Sequence, residues 1–142
     1  MSESGCRLKK ISVGHRDNEL RPEELLNFIE SSEFKNTWDS LGLDLEFDAT
    51  SLQLCIMANA KGYPIIDGSD GVRRHIHSFK EWGIDKPSIG VYYAYFEEFG
   101  IAYFVCIDEG AEDLEFTGEQ LMHFRGAMQT VKDGLARRGT IR

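Results

Sequence analysis

Several features that would narrow the function at once are missing from this sequence. It has three cysteines, Cys6, Cys55 and Cys106, an odd number set far apart. No two form a CxxC pair, so the spacing gives no zinc-ribbon or redox motif and predicts reduced, structural thiols in a cytoplasmic protein. No apolar run approaches the roughly 20 residues that a membrane helix needs, which predicts no membrane partner. The N-terminus, MSESGCRLKK, has no apolar stretch after its basic residues and does not read as a secretory signal. An excess of positive charge is also missing. The net charge is −8, which argues against broad, sequence-blind nucleic-acid binding. There is no internal repeat and no low-complexity segment.

What is present suits one folded domain. The chain has 142 residues, 42% of them hydrophobic, enough for a single core. The charge is unevenly placed. Residues 97–119 hold eight acidic side chains and no basic one. Residues 61–86 hold five Lys or Arg and two His against four acidic residues, so one face is expected to be locally basic. The densest part is GVRRHIHSF, residues 71–79. Strand alternation puts Arg73, His75 and His77 on one face of it and Val72, Arg74 and Ile76 on the other.

Residues 1–26 read as an N-terminal extension and 27–142 as the domain. LLNFIES (25–31) fits either a helix opened by Pro22 or a strand, and the strand is the reading adopted. Ser32 is the expected N-cap of a helix carrying Phe34, Trp38 and Leu41. Asp48 is the expected cap of a second helix, with Leu52, Cys55, Ile56 and Asn59 on one stripe, and Gly62 its left-handed stop. Strands are predicted at 71–78, 89–97 and 101–107, the last two as a hairpin around Gly100. Thr117-Gly118-Glu119-Gln120 is a capping box, followed by Leu121, Phe124, Met128, Val131 and Leu135 at helical spacing. The expected fold is a small α+β domain, β-α-α-β-β-β-α, with an antiparallel sheet and its helices packed on one side.

FIESSEFKNTWDSLGLD (28–44), LCIMANAKGYPIIDGSDGVRRHIHS (54–78) and IGVYYAYFEEFGIAYFVCIDEGAEDL (89–114) carry a family likeness in their order and spacing. Together they resemble the RelE/ParE-type toxins of bacterial toxin–antitoxin modules, in particular the HigB-like, phage-associated branch. The likeness spans about residues 27–137. It implies a RelE-like fold, an antitoxin partner of helix-turn-helix type, and an mRNA endonuclease acting on the ribosome. The sequence departs from the family in two places. No arginine stands near Gly90, where the hairpin strand usually carries one, and Ile107-Asp108-Glu109-Gly110-Ala111 replaces a lysine-bearing run.

Metal-free RNA cleavage needs a base near the ribose 2′-OH, an acid near the leaving oxygen and positive charge on the phosphorane. Histidine suits the proton transfers and arginine the phosphate. Arg73, His75 and His77, about 6–7 Å apart along one strand face, are therefore the candidate catalytic residues. Lys61, Arg74, Tyr93 and Tyr95 are the candidate substrate-binding residues, the tyrosines by base stacking. The His-x-His pair also suits a metal, but the nearby sequence offers no third ligand, so no metal or cofactor is expected. Two functions follow: a toxin that cuts mRNA, or a RelE-like chain that has lost catalysis and serves as an antitoxin-binding or co-repressor module. Both require the cationic strand face to point outward.

Overall fold

A computed structural model of the chain describes residues 26–109 and 115–141. Its elements are β1 (Asn27–Glu30), α1 (Ser32–Ser40), α2 (Phe47–Asn59), β2 (Arg73–His77), β3 (Ile89–Phe96), β4 (Ile101–Asp108) and α3 (Gly118–Ile141). Short 3-10 turns lie at Phe79–Trp82 and Glu97–Phe99. The order β-α-α-β-β-β-α agrees with the sequence reading. No described helix is long and apolar enough to cross a membrane. Residues 1–25 of the expected extension, with Cys6 and His15, and residues 110–114 of the acidic stretch lie outside the described residues.

The four strands form one sheet in the order β1-β4-β3-β2. β2, β3 and β4 form an antiparallel meander, as expected. β1 pairs with β4 in parallel, Asn27 opposite Ile101 and Glu30 opposite Phe104, so the sheet is mixed and not antiparallel throughout. The connection explains this. After β1 the chain crosses through α1 and α2 to the far edge of the sheet and then returns strand by strand. β2 and β4 consequently run in the direction of β1.

The helices pack on both sheet faces, not on one. Val91 and Tyr93 of β3 join Phe34, Trp38, Leu52 and Ile56 of α1 and α2. Tyr92 and Ala94 face the other way, with Val72 and Val105, against Phe124 and Met128 of α3. The central strands are apolar on both sides, with Val91, Tyr92, Tyr93 and Ala94 all buried. A single helical layer would leave one of these faces in water, at roughly 25 cal/mol for each Å² of apolar surface.

Local chemistry fixes the helix ends. α1 is capped by Ser31, not Ser32. Ser31 Oγ accepts the Phe34 N–H at 2.9 Å and donates to the Val105 carbonyl at 2.6 Å, which ties the helix start to β4. α2 begins one residue before Asp48, so Asp48 lies within the first turn. Asp44 takes the capping role, its Oδ1 accepting the Glu46 and Asp48 N–H groups, while Asp48 Oδ2 accepts the Asp44 N–H. Gly62 is not a left-handed stop, because α2 ends at Asn59 and Ala60 is right-handed. A Cβ at Gly62 would instead fall 2.0 Å from Asn59 Oδ1. Gly100 does turn the β3–β4 hairpin, at φ +64°.

The capping box of α3 forms as read. Gln120 Oε1 accepts the Thr117 N–H at 2.8 Å, and Thr117 Oγ1 accepts the Gln120 N–H at 3.1 Å. Thr117→Ala is expected to cost about 1 kcal/mol of unfolding free energy by urea titration. An unchanged midpoint would mean that α3 is held by packing alone.

Candidate functional site

β2 keeps the predicted alternation but not the predicted exposure. Arg73, His75 and His77 do share a face, and that face is the one covered by α2, the Tyr63 turn and Phe79. His75 is 1% exposed and His77 0%. The His75 ring lies 4.4 Å from the Tyr63 ring, and the His77 ring stands edge-on to Phe79 at 4.7 Å. The outward cationic ridge expected from the sequence is therefore an inward imidazole pair. The cause is the apolar character of its neighbours, which draws α2 down over the strand.

The other predicted residues are also engaged. Arg73 sends Nη1 to the carbonyls of Lys61 and Tyr63, at 2.9 and 2.8 Å. Arg74 lies on the opposite face, 8% exposed, with Nε donating to the Tyr92 hydroxyl at 3.1 Å. Tyr93 is fully buried and its hydroxyl donates to the Ala60 carbonyl at 2.7 Å, so its ring cannot stack on a base. Burial, opposed by Arg73, raises its pKa above the ordinary value. Tyr95 is half-buried against the same core as Tyr93. Only Lys61 is exposed, in a surface pair with Glu97 at 3.1 Å. The structure brings His75 and His77 together and separates them from Arg74.

The two imidazoles belong to a buried polar file that begins on α2. Ser51 Oγ donates to the Asp48 carbonyl at 2.8 Å and lies 2.9 Å from His77 Nε2. His77 Nδ1 lies 3.1 Å from His75 Nε2, and His75 Nδ1 has no partner. The proton positions follow from this geometry. With the Ser51 hydrogen on Asp48 O, His77 Nε2–H donates to Ser51 and His75 Nε2–H donates to His77. The orphan at His75 Nδ1 is then a lone pair. The reverse order would bury an N–H without an acceptor, the more costly defect. Ser51 therefore donates away from the imidazole, and no Ser–His nucleophile is set up.

Burial keeps both rings neutral. Desolvation, reinforced by the neighbouring His77, puts His75 well below its ordinary value. Desolvation pushes His77 down to about 4, against the opposing pull of Asp48. A group meant to exchange protons near neutrality would be held closer to pH 7.

A third side chain completes the cluster. Cys55 of α2 places its sulfur so that one donor atom from each of Cys55, His75 and His77 lies within 4.8 Å of the others, all three residues being buried. Cys55 is disulfide-bonded, which corrects the expectation of reduced thiols. Cys106 is free, half-buried in β4, as a packed small residue should be. Burial first, then the charges of Glu33 and Asp108, push its thiol up to about 12.

Two depressions flank this core. An open cleft of about 1010 Å³ lies between the start of α2 and the turn after Phe79–Trp82, lined by Leu45, Phe47, Asp48, Ser51, Trp82 and Ile84 among others. Leu45 is 75% and Phe47 72% exposed, large apolar surfaces set between the exposed acids Asp44 and Glu46. Below it, buried Asp48 is ion-paired to Lys86, which also donates to the Gly42 carbonyl. On the opposite sheet face, a groove of about 420 Å³ beside α3 is lined by Tyr92, Asp108, His123 and Glu33. There Tyr92 donates to Asp108 at 3.3 Å and His123 contacts Glu33 at 2.9 Å.

The sequence reading missed Ser51 and Lys86 and gave Asp48 and Cys55 only local roles, as a cap and a stripe residue, because each meets its partner from a distant element. Leu45 and Phe47 did leave a signal, two large apolar residues alternating with acids in DLEFD. Fold and site together define a small α+β domain with a mixed four-stranded sheet, helices on both faces and an inward imidazole pair. No family model matches the chain, and no curated protein matches it.

Proposed function

We propose that this chain is a protein-binding α+β domain that does not cut RNA through the strand at 73–77, whose inward face removes the ground that both toxin–antitoxin readings shared. The observation that carries this reading is the burial of His75 and His77 at 1% and 0% exposure. Buried rings held neutral cannot reach a ribose hydroxyl, and Arg73 spends its donors on two backbone carbonyls. The missing arginine near Gly90 and the acidic residues at 108–109 point the same way.

The partner surface in this reading is the Leu45–Phe47 cleft. Its occupant is an apolar segment carrying Lys or Arg from a partner protein. Charge complementarity argues for it: the rim carries Asp44 and Glu46, and the chain's net charge of −8 disfavours a second copy of itself. A central, fully desolvated anchor in such a groove contributes about 2 kcal/mol or more, about 30-fold in affinity.

The test is induction of the chain alone in a bacterial host, then co-expression with the product of the neighbouring gene. Unimpaired growth, intact message and a stable complex are expected. Phe47→Asp with Leu45→Asp should weaken the complex by at least about 100-fold, with the circular dichroism unchanged. Growth arrest with cleaved message, abolished by Arg74→Ala, would replace this reading with the nuclease one.

A further inference from the structure

We propose that the Ser51–His77–His75 file is a proton-operated latch on the wall of the Leu45–Phe47 cleft, which keeps the cleft formed near neutral pH and gives it up in acid. The latch rests on the reading of that cleft as the partner surface and adds its regulation. Asp48 and Ser51 line the cleft from the first two turns of α2. On its inner side Ser51 Oγ meets His77 Nε2 at 2.9 Å, and His77 Nδ1 meets His75 Nε2 at 3.1 Å. One side chain thus stands between the cleft and the imidazole pair.

The file has no place for an added proton. Its three donors, Ser51 O–H, His77 Nε2–H and His75 Nε2–H, are each matched to an acceptor. A proton on His77 Nδ1 would set two N–H groups against each other across 3.1 Å and remove the bond between the rings. A proton on His75 Nδ1 would bury both a charge and an N–H with no acceptor. In either position the charged ring needs water, and lifting the start of α2 admits it from the cleft.

The neighbours do not relieve that charge. On α2 the anion is Asp48, already ion-paired to Lys86. On β2, Arg73 shares the face of the rings and repels another cation. On β3, Ile89 and Val91 stand opposite His77 and His75, with the Tyr93 phenol next in line. The turn before β2 brings the Tyr63 ring, and the turn after it the Phe79 ring. Burial accordingly outweighs Asp48 and holds His77 at about 4.

The closed wall is also poised to open. Among the described residues two buried side-chain atoms have no hydrogen-bond partner, His75 Nδ1 and Trp82 Nε1. The first lies at the inner end of the file. The second belongs to the cleft lining, on a ring packed against Cys55 of α2. Opening hydrates both, which partly offsets the apolar contact that opening gives up. In the open form His77 returns toward 6.5, so acid favours opening below that value and has no effect above it. Between pH 7.5 and 5.0 the shift from 6.5 to about 4 multiplies the opening equilibrium by about 30.

The test is amide hydrogen exchange of the full chain in low urea at pH 7.5 and 5.0, corrected for intrinsic rates. At pH 5.0 the α2 amides are expected to lose protection by about 30-fold, through an opening that urea leaves unchanged, while the core amides of α3 stay more protected and respond to urea. His77→Gln, whose amide can make both bonds of the ring but takes up no proton, should cut the α2 change by roughly tenfold. A complex with the product of the neighbouring gene should weaken by up to about 30-fold over the same range. Level α2 protection would overturn the latch. So would α2 and α3 exchanging together with one urea dependence, since the rings would then titrate only on global unfolding. A complex equally tight at both pH values, yet lost in Leu45→Asp with Phe47→Asp, would overturn it as well. The exchange measurement needs neither a variant nor a partner, so failure of the neighbouring product to bind overturns the partner reading and not the latch.

Discussion

Stability is expected to fall by about 3 kcal/mol or more as the pH drops from 7 to 4. The folded chain holds His77 at about 4 by burial, against an ordinary value of 6.5, and holds His75 low as well. Between those values the unfolded chain binds more protons than the folded one, so acid favours unfolding. The contribution of the neutral rings is complete above pH 6.5 and is lost as the pH falls toward 4. At 1.36 kcal/mol per pKa unit, His77 alone accounts for about 3 kcal/mol, and His75 adds in the same direction. The sign is diagnostic. A chain of net charge −8 with exposed imidazoles would gain stability on mild acidification, through reduced self-repulsion. Urea unfolding at pH 7.5, 6.5, 5.5 and 4.5 measures this. A flat or rising profile below 6.5 would show that the rings are not buried as described.

The second large effect is expected at Lys86. Asp48 is 1% exposed and its carboxylate depends on Lys86 and on the Asp44 N–H. Lys86→Met leaves that carboxylate under the α2 start without its counter-charge. Breaking a buried pair from one side typically costs about 3–5 kcal/mol. Asp48→Asn should cost less, because the lysine left behind is 32% exposed and reaches both water and the Gly42 carbonyl. The double change Asp48→Asn with Lys86→Met should recover most of the loss. Three denaturation curves and the wild type give the coupling energy directly. If Lys86→Met unfolds no more easily than wild type, Asp48 has water or another partner, and the floor of the Leu45–Phe47 cleft is wetter than its geometry implies.

The two effects meet on one structural element. α2 carries Asp48, Ser51 and Cys55, at spacings that turn all three toward the sheet. The same helix start presents Leu45 and Phe47 to solvent just ahead of it. The cleft and the imidazole cluster are therefore the outer and inner sides of one packing contact. A change that loosens α2, by acid or by loss of Lys86, should disturb both.

What the sequence determined by itself was local. The Thr117–Gln120 box, the α3 stripe through Phe124 and Met128, the Gly100 hairpin and the alternation of Arg73, His75 and His77 all rest on contacts within a few residues. Backbone geometry decides those wherever the segment is placed. Only the tertiary structure decided which side of β2 would be inside. The alternation of a strand names two faces without saying which one a helix will cover. That choice depended on Phe34, Trp38, Leu52 and Ile56 seeking apolar surface across the chain, and on Ser51, Cys55 and Asp48 arriving with them. A cationic stretch in one dimension thus became a neutral, hydrogen-bonded interior in three, because burial acts on whole faces while sequence displays only neighbours.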